Sequence, residues 1–220
     1  MFQYAAKYTF TLKVTVPSIS KKSASTKVGL ATKSALKLKL NMSGAGEDDR
    51  PEWGVRFFKE YDENEEITEA ERLGYSAESV IAFESYEGEE DTGKGSDDAQ
   101  SIRIIGLRPG TVYVTASMGG MEQGICKVTV SAPKLAKSKT VKRGKTVKLS
   151  VTNIGDHASI SWESGTGESD TASVEIGFSE KAEENEDYRV ATITGGSEAG
   201  KCTVTVDING YMLHSMVTVK

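Results

Sequence analysis

Residues 107–130 read LRPGTVYVTASMGGMEQGICKVTV, and residues 200–219 read GKCTVTVDINGYMLHSMVTV. Each stretch opens on a Gly-led alternating strand (GTVYVTAS at 110–117, GKCTVTVD at 200–207). Each then passes a tight turn (MGGM at 118–121, ING at 208–210) and closes on VTV. Successive side chains of a strand point to opposite faces, so apolar residues at every second position bury one face and leave the other wet. Cys202, Val204, Val206 and Ile208 make one such set. The pattern predicts antiparallel strands with a single buried side. Val114, Val128, Val204 and Val217 are the expected core of the two hairpins.

The likeness continues outward from these hairpins. LKVTV at 12–16 returns as CKVTV at 126–130 and SMVTV at 215–219. After Val16 comes PSISKKSASTKVGLATKSALKLKLN, and after Val130 comes SAPKLAKSKTVKRGKTVKLSVTN. Both hold a Lys-rich strand, a turn with one Gly (Gly29, Gly144) and an alternating strand. A Trp follows in each, Trp53 in PEWGV and Trp162 in ISWES. This is one unit written twice, with expected domains at 17–130 and 131–220 and an orphan strand at 1–16. Short strands at regular spacing with Gly or Asn turns between them predict an all-β chain of two tandem immunoglobulin-like β-sandwiches. Trp53 and Trp162 are expected to fill the space between the sheets as core residues.

From Trp53 to Val128 is 75 residues and from Trp162 to Val217 is 55, so the first unit carries an insertion, placed at about 57–100. Residues 57–74 read as an elaborated loop with a helical turn in EEITEAERL, and 84–99 as an exposed Gly/Glu/Asp/Ser-rich loop. Charge follows the same division. Residues 1–40 hold 8 Lys and no acid, and residues 41–100 hold 19 acids and 5 bases. Residues 133–160 hold 7 bases and 1 acid, and residues 161–200 hold 10 acids and 2 bases. Each unit is basic first and acidic in its middle, which fits solvated strand faces and loops, or complementary docking surfaces.

The run VGLATKSALKLKL or KRGKTVKLSV, then Trp162–Glu163–Ser164, then RPGTVYVTAS and ICKVTV resembles the bacterial immunoglobulin-like domain, group 2, of invasin- and intimin-type surface repeats. The resemblance covers nearly the whole chain and is strongest over Leu107–Val130. Trp53 departs from it, being followed by Gly54 and Val55 where the family has Ser nearby. The resemblance implies a non-catalytic, structural or adhesive segment of a bacterial cell-surface protein. Such a segment is an extracellular rigid spacer that presents loops, with neighbouring repeats and a host-surface protein or glycan as partners.

Composition limits the alternatives. The 220 residues hold 27 Lys+Arg against 32 Asp+Glu, for a net charge of −5. A net-acidic chain does not suit phosphate neutralisation, so nucleic acid is not an expected partner. No apolar run approaches the roughly 18 residues of a membrane span, and no membrane insertion is expected of this segment. MFQYAAKYTFTLKV does not read as a signal peptide. Two His and two Cys do not make a His/Cys metal site or a disulfide framework. Cys126 and Cys202 lie in different units and are not expected to pair.

Catalytic and cofactor motifs fail on their chemistry. Gly195–Lys201 has the spacing of a phosphate-cradling loop, but Cys202 stands where a magnesium-holding hydroxyl is needed and a strand follows. Asp62, Asn64 and Glu66 alternate like the start of a calcium loop. Ile67, however, replaces the turn Gly, and Leu73 the closing Glu. No cofactor is expected; calcium on the acidic loops, through Asp97, Asp98 or Glu89–Asp91, is the alternative. His157 and His214 lie near no nucleophile, and no enzyme is expected.

Residues 1–16 match a closing strand whose own unit is missing from the sequence. They are expected to be the end of a preceding repeat in a longer array, or an assembly strand that pairs with another chain. The second option carries an alternative function, a phage virion structural or decoration protein. A third, a carbohydrate-binding accessory module, would need an exposed aromatic row from Phe57, Phe58, Tyr61, Tyr75 and Tyr86.

Overall fold

The computed structural model describes residues 18–29, 36–41, 51–85, 101–155, 158–165 and 167–220. Residues 1–17, with the expected orphan strand, lie outside the described residues, as do most of 84–99 and His157. The first half comprises β1 (Ser18–Ile19), β2 (Ser23–Lys27), β3 (Leu36–Asn41), β4 (Glu52–Arg56), α1 (Glu63–Leu73), β5 (Ile81–Ser85), β6 (Ser101–Gly106), β7 (Gly110–Met118) and β8 (Met121–Ser131). The second half comprises β9 (Ser138–Val141), β10 (Thr146–Ser150), β11 (Ile160–Ser164), β12 (Val174–Gly177), α2 (Glu180–Glu184), β13 (Val190–Gly195), β14 (Gly200–Ile208) and β15 (Tyr211–Val219).

The strands pair in four sheets, ordered β1-β3-β6-β5 with β2-β8-β7-β4, and β10-β13-β12 with β11-β14-β15-β9. β1-β3-β6-β5 is the A-B-E-D sheet of the immunoglobulin arrangement and β4-β7-β8 its C-F-G sheet, with β2 added in parallel along β8. The second half repeats this with β9 parallel to β15, and a lone bridge from Lys134 to Thr152 stands where β1 pairs with β3. The protein is therefore all-β, two tandem immunoglobulin-like sandwiches, with an enlarged acidic connection in the first.

Alternation explains the packing. β3 (LKLKLN) alternates buried and exposed at every step, and β7 and β14 bury every second side chain along most of their length. Both sheets of the second sandwich feed one core, with Leu149, Ala191 and Ile193 from one and Cys202, Val204, Val217 and Val219 from the other. Val114, Val128, Val204 and Val217 are fully buried. Trp53 and Trp162 differ from the expectation: they pack against the cores but are only half-buried. They stand at equivalent registers, Trp53 opposite Ala116 and Trp162 opposite Val206. Both sit on β4 and β11, the edge strands of their sheets among the described residues. The Trp162 indole N–H also donates to the Tyr188 carbonyl at 2.8 Å.

The connection after β4 is more ordered than its sequence implied. Instead of a helical turn it forms an 11-residue helix, capped by Asp62 at its start and by Gly74 in the left-handed region (φ 73°) at its end. Glu63, Glu65 and Glu66 lie in its first turn and Arg72 in its last, the order that the helix dipole favours.

Candidate functional site

Three places are candidates: the joint between the sandwiches, the α1 connection and a groove on the second sandwich. The joint starts from Gly106. A Cβ there would stand 2.1 Å from the Lys27 carbonyl, so only Gly lets the chain after β2 cross the end of β6. That crossing sets Val28, which bridges both Gly106 and Ile154 of the second sandwich. The Val28 carbonyl accepts the Gly155 N–H at 2.7 Å. Asn153, held at φ 60°, donates through Nδ2 to the Ala132 carbonyl at 2.7 Å and to Ser131 Oγ at 3.1 Å. Asn is among the few residues that adopt this conformation readily. Ser131 Oγ donates in turn to the Thr26 carbonyl at 3.1 Å.

An apolar layer accompanies these bonds. Val28, Val80 and Val130 of the first sandwich belong to one continuous cluster with Val151, Ile154, Val206 and Ile208 of the second. Burying each such side chain contributes about 1.5–3 kcal/mol. The Val28–Gly155 and Asn153–Ser131 hydrogen bonds add to that layer in holding the two sandwiches together.

The α1 connection leaves from the same end of the first sandwich, since Ile81 pairs with Gly106. Glu66 anchors it: its carboxylate accepts the Phe57 N–H at 2.8 Å and the Phe58 N–H at 3.1 Å. Arg56 donates to the carbonyls of Phe58 and Lys59 and pairs with Glu122 at 2.9 Å. Arg72 holds the Glu69 carboxyl below the usual carboxylate range by hydrogen bonding to it. Among the described residues the aromatics do not form a row. Phe57 is buried and meets Tyr75 edge-on at 6.3 Å, and the Arg108 guanidinium covers the Tyr75 ring at 4.4 Å. Tyr61 is 66% exposed, and Tyr86 lies outside the described residues.

The residues singled out for calcium have other partners. Asp62 accepts the N–H groups of Asn64 and Glu65, and Glu66 those of Phe57 and Phe58. Among the described residues no three His, Cys, Asp or Glu side chains stand close enough to share a metal. Asp97, Asp98 and Glu89–Asp91 lie outside the described residues.

The groove, of 1010 Å³, runs between Ile154, Gly155 and Ala158–Ile160 on one side and the α2–Tyr188 segment on the other. Its Asp187 carboxylate is taken by Arg189 at 2.7 and 2.8 Å, which lowers its pKa. Its described lining includes neither Cys nor His. Cys126 and Cys202 are free and buried, in separate sandwiches, and burial pushes both thiols up in pKa and away from reactivity. Residues 195–201 turn from β13 into β14, so strand follows the glycines and no helix N-terminus faces them. His214 Nδ1 pairs with Thr205 Oγ1 at 2.9 Å. The joint's contact residues Val28, Asn153 and Gly155 were not singled out by sequence reasoning, although Asn153–Ile154–Gly155 is a visible turn signal.

No protein-family model and no curated protein matches the chain. Among solved structures it is similar to the I9-I11 tandem from titin, at 9% identity and TM-score 0.42, covering 92% of this chain and 65% of that one. It is also similar to the I-band fragment I67-I69 from titin, at 13% identity and TM-score 0.27, covering 94% and 66%. Domains 4 and 5 of the S-layer protein SbsC match at 16% identity and TM-score 0.30, covering 94% of this chain and 99% of that one. The chain thus spans just under two thirds of the titin tandems. Likeness at these scores lends no weight to function, and the immunoglobulin-like architecture rests on the strand order and register above.

Proposed function

We propose that the chain is a non-catalytic structural segment of a bacterial cell-surface array, in which two sandwiches in series act as one rigid spacer and present loops. The joint carries this reading. Only Ala132 and Pro133 separate the end of β8 from the Lys134–Thr152 bridge, and this short junction, a shared apolar cluster and hydrogen bonds from Asn153 and Gly155 suit a rod better than a hinge. The sequence resemblance to group 2 bacterial immunoglobulin-like repeats supports the surface location and units near 17–130 and 131–220. The virion reading depends on residues outside the described ones. The carbohydrate reading loses Phe57 to the core, and the Tyr75 ring is taken by Arg108.

The test is the distance distribution between spin labels at Lys127→Cys and Lys201→Cys, both exposed and one on each sandwich. A narrow distribution, broadened by Asn153→Ala with Ile154→Ser, supports the rod. A broad distribution in the otherwise unaltered chain overturns it.

A further inference from the structure

The two sandwiches can be compared position by position at the pole where the closing strand ends. Thr26 faces Val130 in the first sandwich and Val141 faces Val219 in the second. Two residues on, Val28 bridges Gly106 and Arg143 bridges Gly195. Val28 thus corresponds to Arg143, and Ser131 to Lys220. In the first sandwich these positions receive the neighbour: Val28 is fully buried, its carbonyl takes the Gly155 N–H, and Ser131 accepts from Asn153.

In the second sandwich the same places carry exposed cations. Lys142, Arg143, Lys145 and Lys220 are all exposed, and none has an ion-pair partner among the described residues. Backbone bonds hold them in one cluster: Arg143 N to Lys220 O, Lys220 N to Val141 O and Lys145 N to Lys142 O, each at 3.0 Å. Burying unpaired cations under an apolar neighbour would carry a large desolvation penalty. This pole is therefore unfit for a joint of the first kind and matches an anionic surface.

The chain exposes acids along α1, where Glu63 and Glu71 lie one turn to either side of the half-exposed Ile67, with Asp62 at the N-cap and Glu65 also exposed. α1 leaves the first sandwich at its joint end, and the cationic pole lies at the opposite end of the second sandwich, so contact between them must be between molecules. We propose that the cationic pole of one copy docks on the acidic α1 face of a second copy. The two patches differ, so the contact is heterologous and builds chains of molecules wherever successive rotations do not close a ring. It goes beyond the spacer reading and does not depend on the joint being rigid.

Light scattering of the full chain over a concentration series tests this. The average mass is expected to rise with concentration at low salt and fall back to that of one chain at high salt, because exposed charges are screened. Lys142→Glu/Arg143→Glu/Lys145→Glu, and separately Glu63→Lys/Glu65→Lys/Glu71→Lys, should each abolish the rise. An equimolar mixture of the two variants should restore it, since each reversed patch then finds an opposite one. All six positions are exposed, and a retained cooperative melting transition confirms that each variant folds. A chain that stays monomeric at low salt, or association that survives both reversals, overturns the proposal. So does binding to vesicles of anionic lipid without self-association.

Discussion

The connection from β4 to β5 and that from β11 to β12 solve one problem at two lengths. Each leads from the C-F-G sheet to the other sheet, and each hangs on a carboxylate that accepts backbone N–H groups. In the first sandwich Glu66 takes Phe57 and Phe58. In the second, Asp170 takes Gly167 at 3.0 Å, with the Thr203 N–H and hydroxyl at 2.9 Å each. The longer connection reaches its anchor from within a helix, and the shorter one does so from a turn. The insertion therefore extends a shared device, and its added surface is the acidic outer face of α1.

The largest expected effect tests whether the two crossings are equivalent. Gly106→Ala drives a Cβ against the Lys27 carbonyl at 2.1 Å, whereas Gly195→Ala meets the Lys142 carbonyl at 2.8 Å. Overpacking of this kind costs about 1–3 kcal/mol, so urea unfolding should place Gly106→Ala at the upper end and Gly195→Ala below it. Equal losses would mean that the crossing after β2 relaxes more freely than its geometry indicates.

Next comes the anchor. Glu66→Ala leaves two backbone N–H groups without their acceptor and is expected to cost about 1.5–3 kcal/mol, read from urea unfolding. Proteolysis within 57–80 should speed up in the same variant. If cleavage is unchanged, α1 is held by its apolar face alone.

A smaller, opposite effect separates the closing hairpins. Cys126 and Ser215 occupy the same place, opposite Val114 and Val204. The Ser215 hydroxyl is fully buried with no hydrogen-bond partner among the described residues. Ser215→Ala should therefore stabilise by about 1 kcal/mol, a rise of about 2–4 °C in melting temperature. A fall would show that the hydroxyl finds a partner in solution.

The pH dependence is the smallest effect. Hydrogen bonds from Thr203, then Gly167, hold the Asp170 carboxyl below its ordinary value. A depressed folded-state pKa contributes stability above the unfolded value of about 3.9, and that contribution is lost as pH falls through the folded pKa. Asp170→Asn should flatten the acid limb of a melting-temperature profile and leave its alkaline side parallel to that of the unaltered chain. An unchanged acid limb would remove Asp170 from the account.

How much of this was legible depends on the range of each interaction. The hairpins at 107–130 and 200–219 announced themselves because period-2 alternation is a local property of a strand. The helix was under-read because its inward face begins with Glu66, whose partners are the backbone of Phe57 and Phe58 rather than an apolar stripe. The cap signals at Asp62 and Gly74 were present but do not show where the helix docks. Half-burial of Trp53 and Trp162 follows from β4 and β11 being edge strands, a matter of sheet order that no local pattern encodes.

The sequence alone determined the all-β class, the duplication and the buried valines of both hairpins, because alternation and repetition are written residue by residue. The tertiary structure decided that Val28 is an inner joint residue while its counterpart Arg143 faces water. It also decided that Glu66 and Asp170 are anchors rather than loop charges. Those outcomes depend on which distant backbone groups a side chain meets, and only the closed sandwich brings them together.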